Sequence, residues 1–419
     1  MDKSLALKLL YAKSFAILIG ISIPSLAFGR VIFAIIIGSA FFALFLFRSR
    51  QEVLSDILAQ AKSPLGLAIL ATFVSWLPNT LVSEYPFRSL EVVLRSLLLI
   101  LLSSNFYSAL IKDYKLINVS LYAFAIMSCI TIIFILIVTT VLPELYWLLK
   151  LQGWHPTPLT IELKGFSSVT VIIVPLLVLT AFAFSRFTRY IALILAVAFI
   201  VFVWQSYNRS ALAGLLIMLV AVSLTWFSHP NKKKGKLIVF LGVMSVLVSM
   251  LIWLWDARMS VELFANMAKH EDWTIPIWLI DFERQIIWKR AIDFGINSAW
   301  IGLGVNTINL LPGADEIIKG THNLHVIPAH PHNWAVEVFA ETGFLGLTAL
   351  LITIITLISQ NINKWQQLGN IGSVMSIAII SGYWGAGLFN FSYWSAWWQL
   401  SFYISLTICY AFVKSTRQN

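Results

Sequence analysis

The chain has 419 residues, of which 59% are hydrophobic and only 11% charged, with a net charge of +10. A soluble chain of this length carries about 25% charged residues, so a water-soluble enzyme is excluded and an integral membrane protein is expected. A positive balance can signal nucleic acid, but here the basic residues follow the loops of a membrane protein, and nucleic acid is not expected as a partner.

Apolar windows predict twelve spans, at residues 14–28, 31–47, 65–83, 90–111, 116–140, 167–184, 190–205, 210–227, 237–255, 332–358, 371–390 and 394–413. Their length suits helices crossing a bilayer, and they lack the period-two alternation of barrel strands. The fold class expected is therefore an all-α polytopic membrane protein. The first run follows Lys3, Lys8 and Lys13, as a signal peptide would. Because Gly29-Arg30 leads at once into a second apolar run, a retained span is expected. Cys129 and Cys409 both fall inside apolar runs, which leaves no disulfide framework and no cysteine-based metal motif.

Loop charge sets the orientation. With the N-terminus inside, the inner loops and tails hold seventeen Lys and Arg against four acids, while the outer loops hold eleven bases and twelve acids. The positive-inside rule then places both termini in the cytoplasm. Three regions follow: residues 1–255 with spans one to nine, residues 256–331 as a large outer loop, and residues 332–419 with spans ten to twelve. A loop of that length should carry its own structure and a function. Two short helices are expected in it, over 259–270 and 276–295, the second holding Glu283, Arg284, Lys289 and Arg290.

Four of the seven histidines cluster where this loop meets the tenth span, in HNLHVIPAHPHNWAVEVFAETGFLGL, residues 322–347. His322-x-x-His325 and His330-x-His332 could supply zinc ligands, but the spacing lacks the helical pattern and the intervening acid of a zinc-hydrolase site, so no metal is expected. His332 differs from the rest because, with Asn333, it opens a helix. The positive end of that helix favours a neutral imidazole, which could take a proton from a hydroxyl; the plainer alternative is a His-Asn capping pair.

Several arginines are expected on the same outer face. Arg209 begins the eighth span, where a cation opposes the helix dipole unless it snorkels or an anion is held there, and Ser206 or Asn208 could cap that helix. Arg284 and Arg290 lie on the loop helix, and Arg30, Arg88 and Arg95 near other outer ends. Guanidinium groups suit bidentate contact with phosphate, so a base together with these arginines suggests a phosphate-bearing substrate.

The order of these features resembles the bacterial O-antigen ligase family, which also contains O-antigen polymerase-like proteins. The resemblance rests on Asn208-Arg209-Ser210-Ala211-Leu212, on Arg284-x-x-x-Trp288 followed by Gly302-x-Gly304, and on His330-x-His332-Asn333 with Gly343-x-x-Gly346 beyond it. It covers about residues 200 to 350. It implies a metal-independent, cofactor-free membrane glycosyltransferase of the GT-C class at the periplasmic face of the bacterial inner membrane. The implied donor is a glycan on undecaprenyl pyrophosphate and the implied acceptor is the lipid A-core, as in lipopolysaccharide biosynthesis. His332 matches the proposed base of the family, and Arg209 and Arg284 match its pyrophosphate-contacting arginines. Asn333, Arg30, Arg290 and His330 are candidate substrate-binding residues. An O-antigen or exopolysaccharide polymerase, or a protein O-oligosaccharyltransferase, would keep the donor chemistry and change the acceptor. A secondary transporter is the alternative of another class, disfavoured by spans almost free of charge and by polar groups gathered at one face.

Overall fold

The computed structural model describes residues 3–150, 153, 158–229, 236–270, 273–319, 321 and 323–415. Among the described residues the chain is helical, with one isolated bridge between Ile317 and His325 and no strand. In chain order the helices begin with α1 (Lys3–Ser22), α2 (Arg30–Phe47), α3 (Arg50–Ala61), α4 (Pro64–Val82), α5 (Pro86–Lys112) and α6 (Tyr114–Thr140). Three short helices, α7 (Glu144–Leu149), α8 (Leu159–Glu162) and α9 (Lys164–Ser167), lead to α10 (Thr170–Ala183), α11 (Arg186–Gln205), α12 (Arg209–Ser228) and α13 (Lys236–Met259). The large loop carries α14 (Glu262–His270) and α15 (Phe282–Ile296), and the chain closes with α16 (Trp334–Leu368), α17 (Ile371–Gly387) and α18 (Ala396–Ser415).

Each of the twelve expected spans is a helix. Ten are long and apolar enough to cross a bilayer, which makes the chain a multi-pass membrane protein. α10 and α17, at 14 and 17 residues, are shorter, and both are sheathed by protein: Val171, Ile172, Ile173, Leu176, Leu177 and Leu179 of α10 are all fully buried. A helix surrounded by other helices need not match the thickness of the lipid, because its ends face protein rather than hydrocarbon. The first span begins earlier than expected, at Lys3, and a 3-10 turn from Pro24 to Phe28 separates it from α2. The second loop helix begins later, at Phe282, since residues ahead of it form turns. An unexpected element is α3, opened by a capping box in which Ser49 and Glu52 exchange backbone and side-chain bonds.

The spans were expected to hold almost no buried charge, and α16 departs from that with Glu337 and Glu341, each 1% exposed. Both carboxylates are fully used. Glu337 accepts from the Ser392 hydroxyl at 2.6 Å and the Tyr393 amide at 2.7 Å. Glu341 accepts from the amides of Asn306, Thr307 and Ile308 at 2.6, 3.1 and 3.2 Å, and from the Trp394 indole. The two residues clasp the loop before α16 and the turn before α18 to a single helix.

The glycine motifs have a physical cause in the same place. Gly343 adopts φ +67 and ψ −173 and breaks α16. In an unbroken helix the Phe344 and Leu345 amides would bond to the Ala340 and Glu341 carbonyls. Instead they donate to the carbonyls of Ala299 and Trp300, at 2.8 and 3.1 Å. The vacated Ala340 and Glu341 carbonyls accept from the Leu303 and Gly304 amides, at 3.2 and 3.0 Å. The loop is thus spliced into the helix through four exchanged bonds. Gly302, at φ +77, makes the close approach possible, since a Cβ there would stand 2.3 Å from the Glu341 backbone.

Gly302→Ala should therefore destabilise the protein by more than the roughly 1–3 kcal/mol of left-handed backbone strain alone. A clearly lower thermal midpoint in detergent is expected; an unchanged midpoint would show that the loop does not enter the helix break.

Candidate active site

His332 sits between Pro331 and Asn333 with φ +57, a conformation uncommon for a residue with a side chain. Asn333 is the helix cap, its Oδ1 accepting from the amides of Ala335 at 3.0 Å and Val336 at 3.3 Å. The capping alternative therefore applies to Asn333, while the turn at His332 leaves its ring for another use. Pro331 is fixed from below by the Trp288 indole, which donates to its carbonyl at 3.0 Å. Trp288 lies one turn after Arg284 on α15, so the Arg-x-x-x-Trp motif puts a guanidinium and an anchor for the histidine turn on one helix face.

The rings of His330 and His332 stand 4.2 Å apart and converge on one atom, the carbonyl oxygen of Asn390. Nε2 of His330 lies 3.1 Å from it and Nδ1 of His332 lies 3.2 Å from it. A carbonyl only accepts, so both nitrogens must carry hydrogen. Neutral His332 is then the Nδ1–H tautomer, with the lone pair on Nε2 free. Burial first, then His330 and then Arg284, push its pKa down to about 4, against a smaller opposing effect of the Asn390 bond. His330 is also held below the ordinary range, mainly by burial. Burial, the leading cause, favours the neutral imidazole expected at this position.

A polar chain joins Asn390 to the start of α12, beside Arg209. The Asn390 side-chain amide donates to the Ser168 hydroxyl. Asn208 donates to that hydroxyl at 2.8 Å, to Ser167 Oγ at 2.7 Å and to the Lys164 carbonyl at 2.7 Å. Asn208 also caps α12, accepting from the Ala211 amide at 3.2 Å, and the next residue is Arg209. Arg209 has a partner within the chain: Asp281 lies 3.3 Å from its guanidinium and also pairs with the buried Arg258. Arg284, partly buried, has no carboxylate within ion-pair distance among the described residues. Burial lowers its pKa first; Asp281 opposes this and Arg209 adds to it.

Other candidates lie elsewhere. Arg290 is committed to Glu316 at 3.1 Å and to the Phe294 ring at 4.8 Å. Arg30 stacks 4.8 Å over Trp397, whose ring packs on Phe391. Arg88 donates to the Asn306 carbonyl at 2.7 Å, and Arg95 pairs with Glu91 and the Trp394 carbonyl, so both secure loops. His325 bonds to the Asp315 carbonyl at 2.6 Å, and His322 lies outside the described residues. Among the described residues no three His, Cys, Asp or Glu side chains gather as a metal site would require. An apolar cavity of about 540 Å³ runs between α4, α5, α16 and α18, with Trp384 and Tyr393 in its wall; Trp334, two residues after His332, packs 4.7 Å from Trp384.

Sequence reasoning missed Asn390, Ser168, Asp281 and Lys164. Asn390 acts through its main chain, for which no sequence signal exists. Asp281 is readable only as an acid three residues before Arg284.

Residues 176–351 match the O-antigen ligase family. Over 120 residues, 28% of this chain, there is 29% identity to a Rickettsia typhi protein provisionally named a polysaccharide ligase, and the match spans 29% of that protein. Over 81 residues there is 30% identity to a Rickettsia bellii protein with the same provisional name, 18% of each chain being covered. The chain thus spans less than a third of either relative in these matches. Arg209, Arg284, His330, His332 and Asn333 all fall inside the family match, and the resemblance read from the motifs to the O-antigen ligase family holds over residues 176–351.

Proposed function

We propose that the chain is an O-antigen ligase, a membrane glycosyltransferase of the GT-C class that moves a glycan from undecaprenyl pyrophosphate to a hydroxyl of the lipid A-core. It works without a metal, at the periplasmic face of the inner membrane, with both termini cytoplasmic. The observation that carries this reading is a histidine held as its Nδ1–H tautomer beside Arg284, a guanidinium without an ion-pair carboxylate among the described residues. The provisional names of the two Rickettsia relatives agree with it.

In the reaction, His332 Nε2 takes the proton of the acceptor hydroxyl. The oxygen attacks the anomeric carbon from the face opposite the leaving group, so the configuration inverts. The bond from that carbon to the diphosphate breaks, and its electron pair leaves with undecaprenyl pyrophosphate. Arg209 and Arg284 hold the charge that grows there, the part a divalent cation takes in other phosphate chemistry. His332 then returns its proton to solvent. With a folded-state pKa near 4 it is fully available at neutral pH but a weak base. A bound diphosphate cancels the repulsion from Arg284 and strengthens it, so base and donor site work together.

Glu337 and Glu341 are the features that could favour a transporter. Their carboxylates are instead occupied by backbone amides, a serine hydroxyl and an indole, which suits a structural role. A polymerase or a protein O-oligosaccharyltransferase would share the donor site. Purified chain given labelled donor with either lipid A-core or lipid-linked repeat units separates the acceptors, and labelled lipid A-core is the expected product.

His332→Ala should lower transfer by about 10²–10⁴-fold, the usual share of a general base, with the thermal midpoint retained. Wild-type turnover in that variant would remove the assignment. Arg209→Ala and Arg284→Ala should each lose on the order of 10²–10³-fold in kcat/KM for donor.

The pH profile tests the electrostatics. A base must be deprotonated, so kcat/KM should rise with pH through about 4 and be flat across the usual histidine range near 6.5. Removing a cation that depresses a pKa raises it, so Arg284→Gln should move that acid limb to higher pH. An unmoved limb would separate His332 from the titration.

A further inference from the structure

Lys164 was not singled out by its sequence context, yet it lies against the same polar chain as the candidate base. Its carbonyl accepts from Asn208 at 2.7 Å, which fixes α9 beside the start of α12 and therefore beside Arg209. A Cβ at the next residue, Gly165, would lie 3.8 Å from the Phe391 ring, so the same short helix also rests on the turn that carries Asn390. The Lys164 side chain is exposed, while Phe166 and Ser167 behind it are buried. The base of the residue is held and its ammonium is presented.

Its charge is felt across the site. Surrounding protein withdraws part of the hydration of the ammonium, and this, followed by the charges of Arg209 and Arg284, holds Lys164 below its ordinary range while Asp281 opposes them. The groups acting on one another here are the cations Lys164, Arg209, Arg258 and Arg284 and the carboxylates Asp281 and Glu283. The four cations exceed the two carboxylates by two charges, with His330 and His332 neutral. Asp281 is already shared between Arg209 and Arg258, so it cannot also neutralise the others. An excess of two charges in a partly desolvated site calls for a dianion. A diphosphate esterified at both ends keeps one ionised oxygen on each phosphorus and is such a dianion; a phosphate diester carries only one charge.

We propose that Lys164 is a third arm of a diphosphate cradle formed with Arg209 and Arg284, and that this arm makes the site select a diphosphate over a monophosphate. The inference rests on the reading that the donor leaving group sits at this cluster. Two arginines on separate helices can each engage one phosphate, and the ammonium, a compact charge on a flexible stem, spans the pair. Lys164 touches ligand rather than the reacting carbon, so its loss should weaken donor binding more than turnover.

The test is calorimetric titration of the full chain in detergent with inorganic pyrophosphate and, separately, inorganic phosphate. Lys164→Gln and Lys164→Arg both keep the backbone carbonyl that Asn208 uses, so neither removes the anchor of α9. Wild type should bind pyrophosphate more tightly than phosphate. Lys164→Gln should lose about tenfold or more for pyrophosphate and less than threefold for phosphate, and Lys164→Arg should restore most of the pyrophosphate affinity. In donor kinetics, Lys164→Gln should raise KM with little change in kcat. Equal pyrophosphate binding by wild type and Lys164→Gln would overturn the role of Lys164 and leave the donor site intact. Failure of wild type itself to bind pyrophosphate would overturn the placement of the donor at this cluster, and the inference with it. A loss in Lys164→Gln that Lys164→Arg does not restore would assign the effect to packing of α9 and overturn the charge argument.

Discussion

The exchange of hydrogen bonds at Gly343 is the constraint on which the rest depends. A polar backbone group inside a membrane protein must find a partner in the protein, and a broken helix strands two amides and two carbonyls. Residues 299–304 supply all four partners. Once the loop is spliced in, Glu341 is set to collect the amides of Asn306 to Ile308 and the indole of Trp394, and Glu337, one turn earlier, collects Ser392 and Tyr393. The turn that contains Asn390 is tied in this way to the first two turns of α16, the helix that His332 precedes. Two imidazoles can then share one carbonyl.

That shared carbonyl turns a packing arrangement into chemistry. An imidazole that donates from Nδ1 has only Nε2 left for a proton, so the tautomer is set by a main-chain oxygen rather than by a carboxylate. A neutral carbonyl orients the ring without adding negative charge, and burial favours the uncharged ring. On the far side of Ser168 and Asn208 the same polar chain fixes the start of α12, so His332 and Arg209 are attached to one continuous network. Asp281 completes it as an internal counter-ion that keeps an otherwise unbalanced group of cations in place.

Much of the fold was legible in the chain because hydrophobic length is a one-dimensional signal. All twelve apolar windows are helices, and the errors lie at ends and in the two short helices that protein rather than lipid surrounds. The candidate site was legible where its parts lie close in sequence: Asn208 beside Arg209, Arg284 one turn before Trp288, and His332 before its cap. It was illegible where the contact is tertiary. Arg290 looked equivalent to Arg284, yet the helix rotates it toward Glu316. Lys164 looked like an ordinary loop lysine, and Asn390 contributes an oxygen that every residue possesses. The histidines sit close in sequence, yet their rings part in space: His325 turns to the Asp315 carbonyl while His330 and His332 turn to Asn390.

The splice at Gly343 also dictates an order of assembly. Residues 299–304 leave the ribosome before the helix that receives them, so their amides and carbonyls have no partners until α16 has been made and inserted. The turn at 390–394 comes later still, and the carboxylates of Glu337 and Glu341 wait for it inside the first half of that helix. The large loop therefore cannot mature as an independent unit and then dock. It closes around the last helices as they arrive, so the cluster around His332 comes together only after nearly the whole chain is in the membrane, and truncated chains are left with a loop that has nothing to close on.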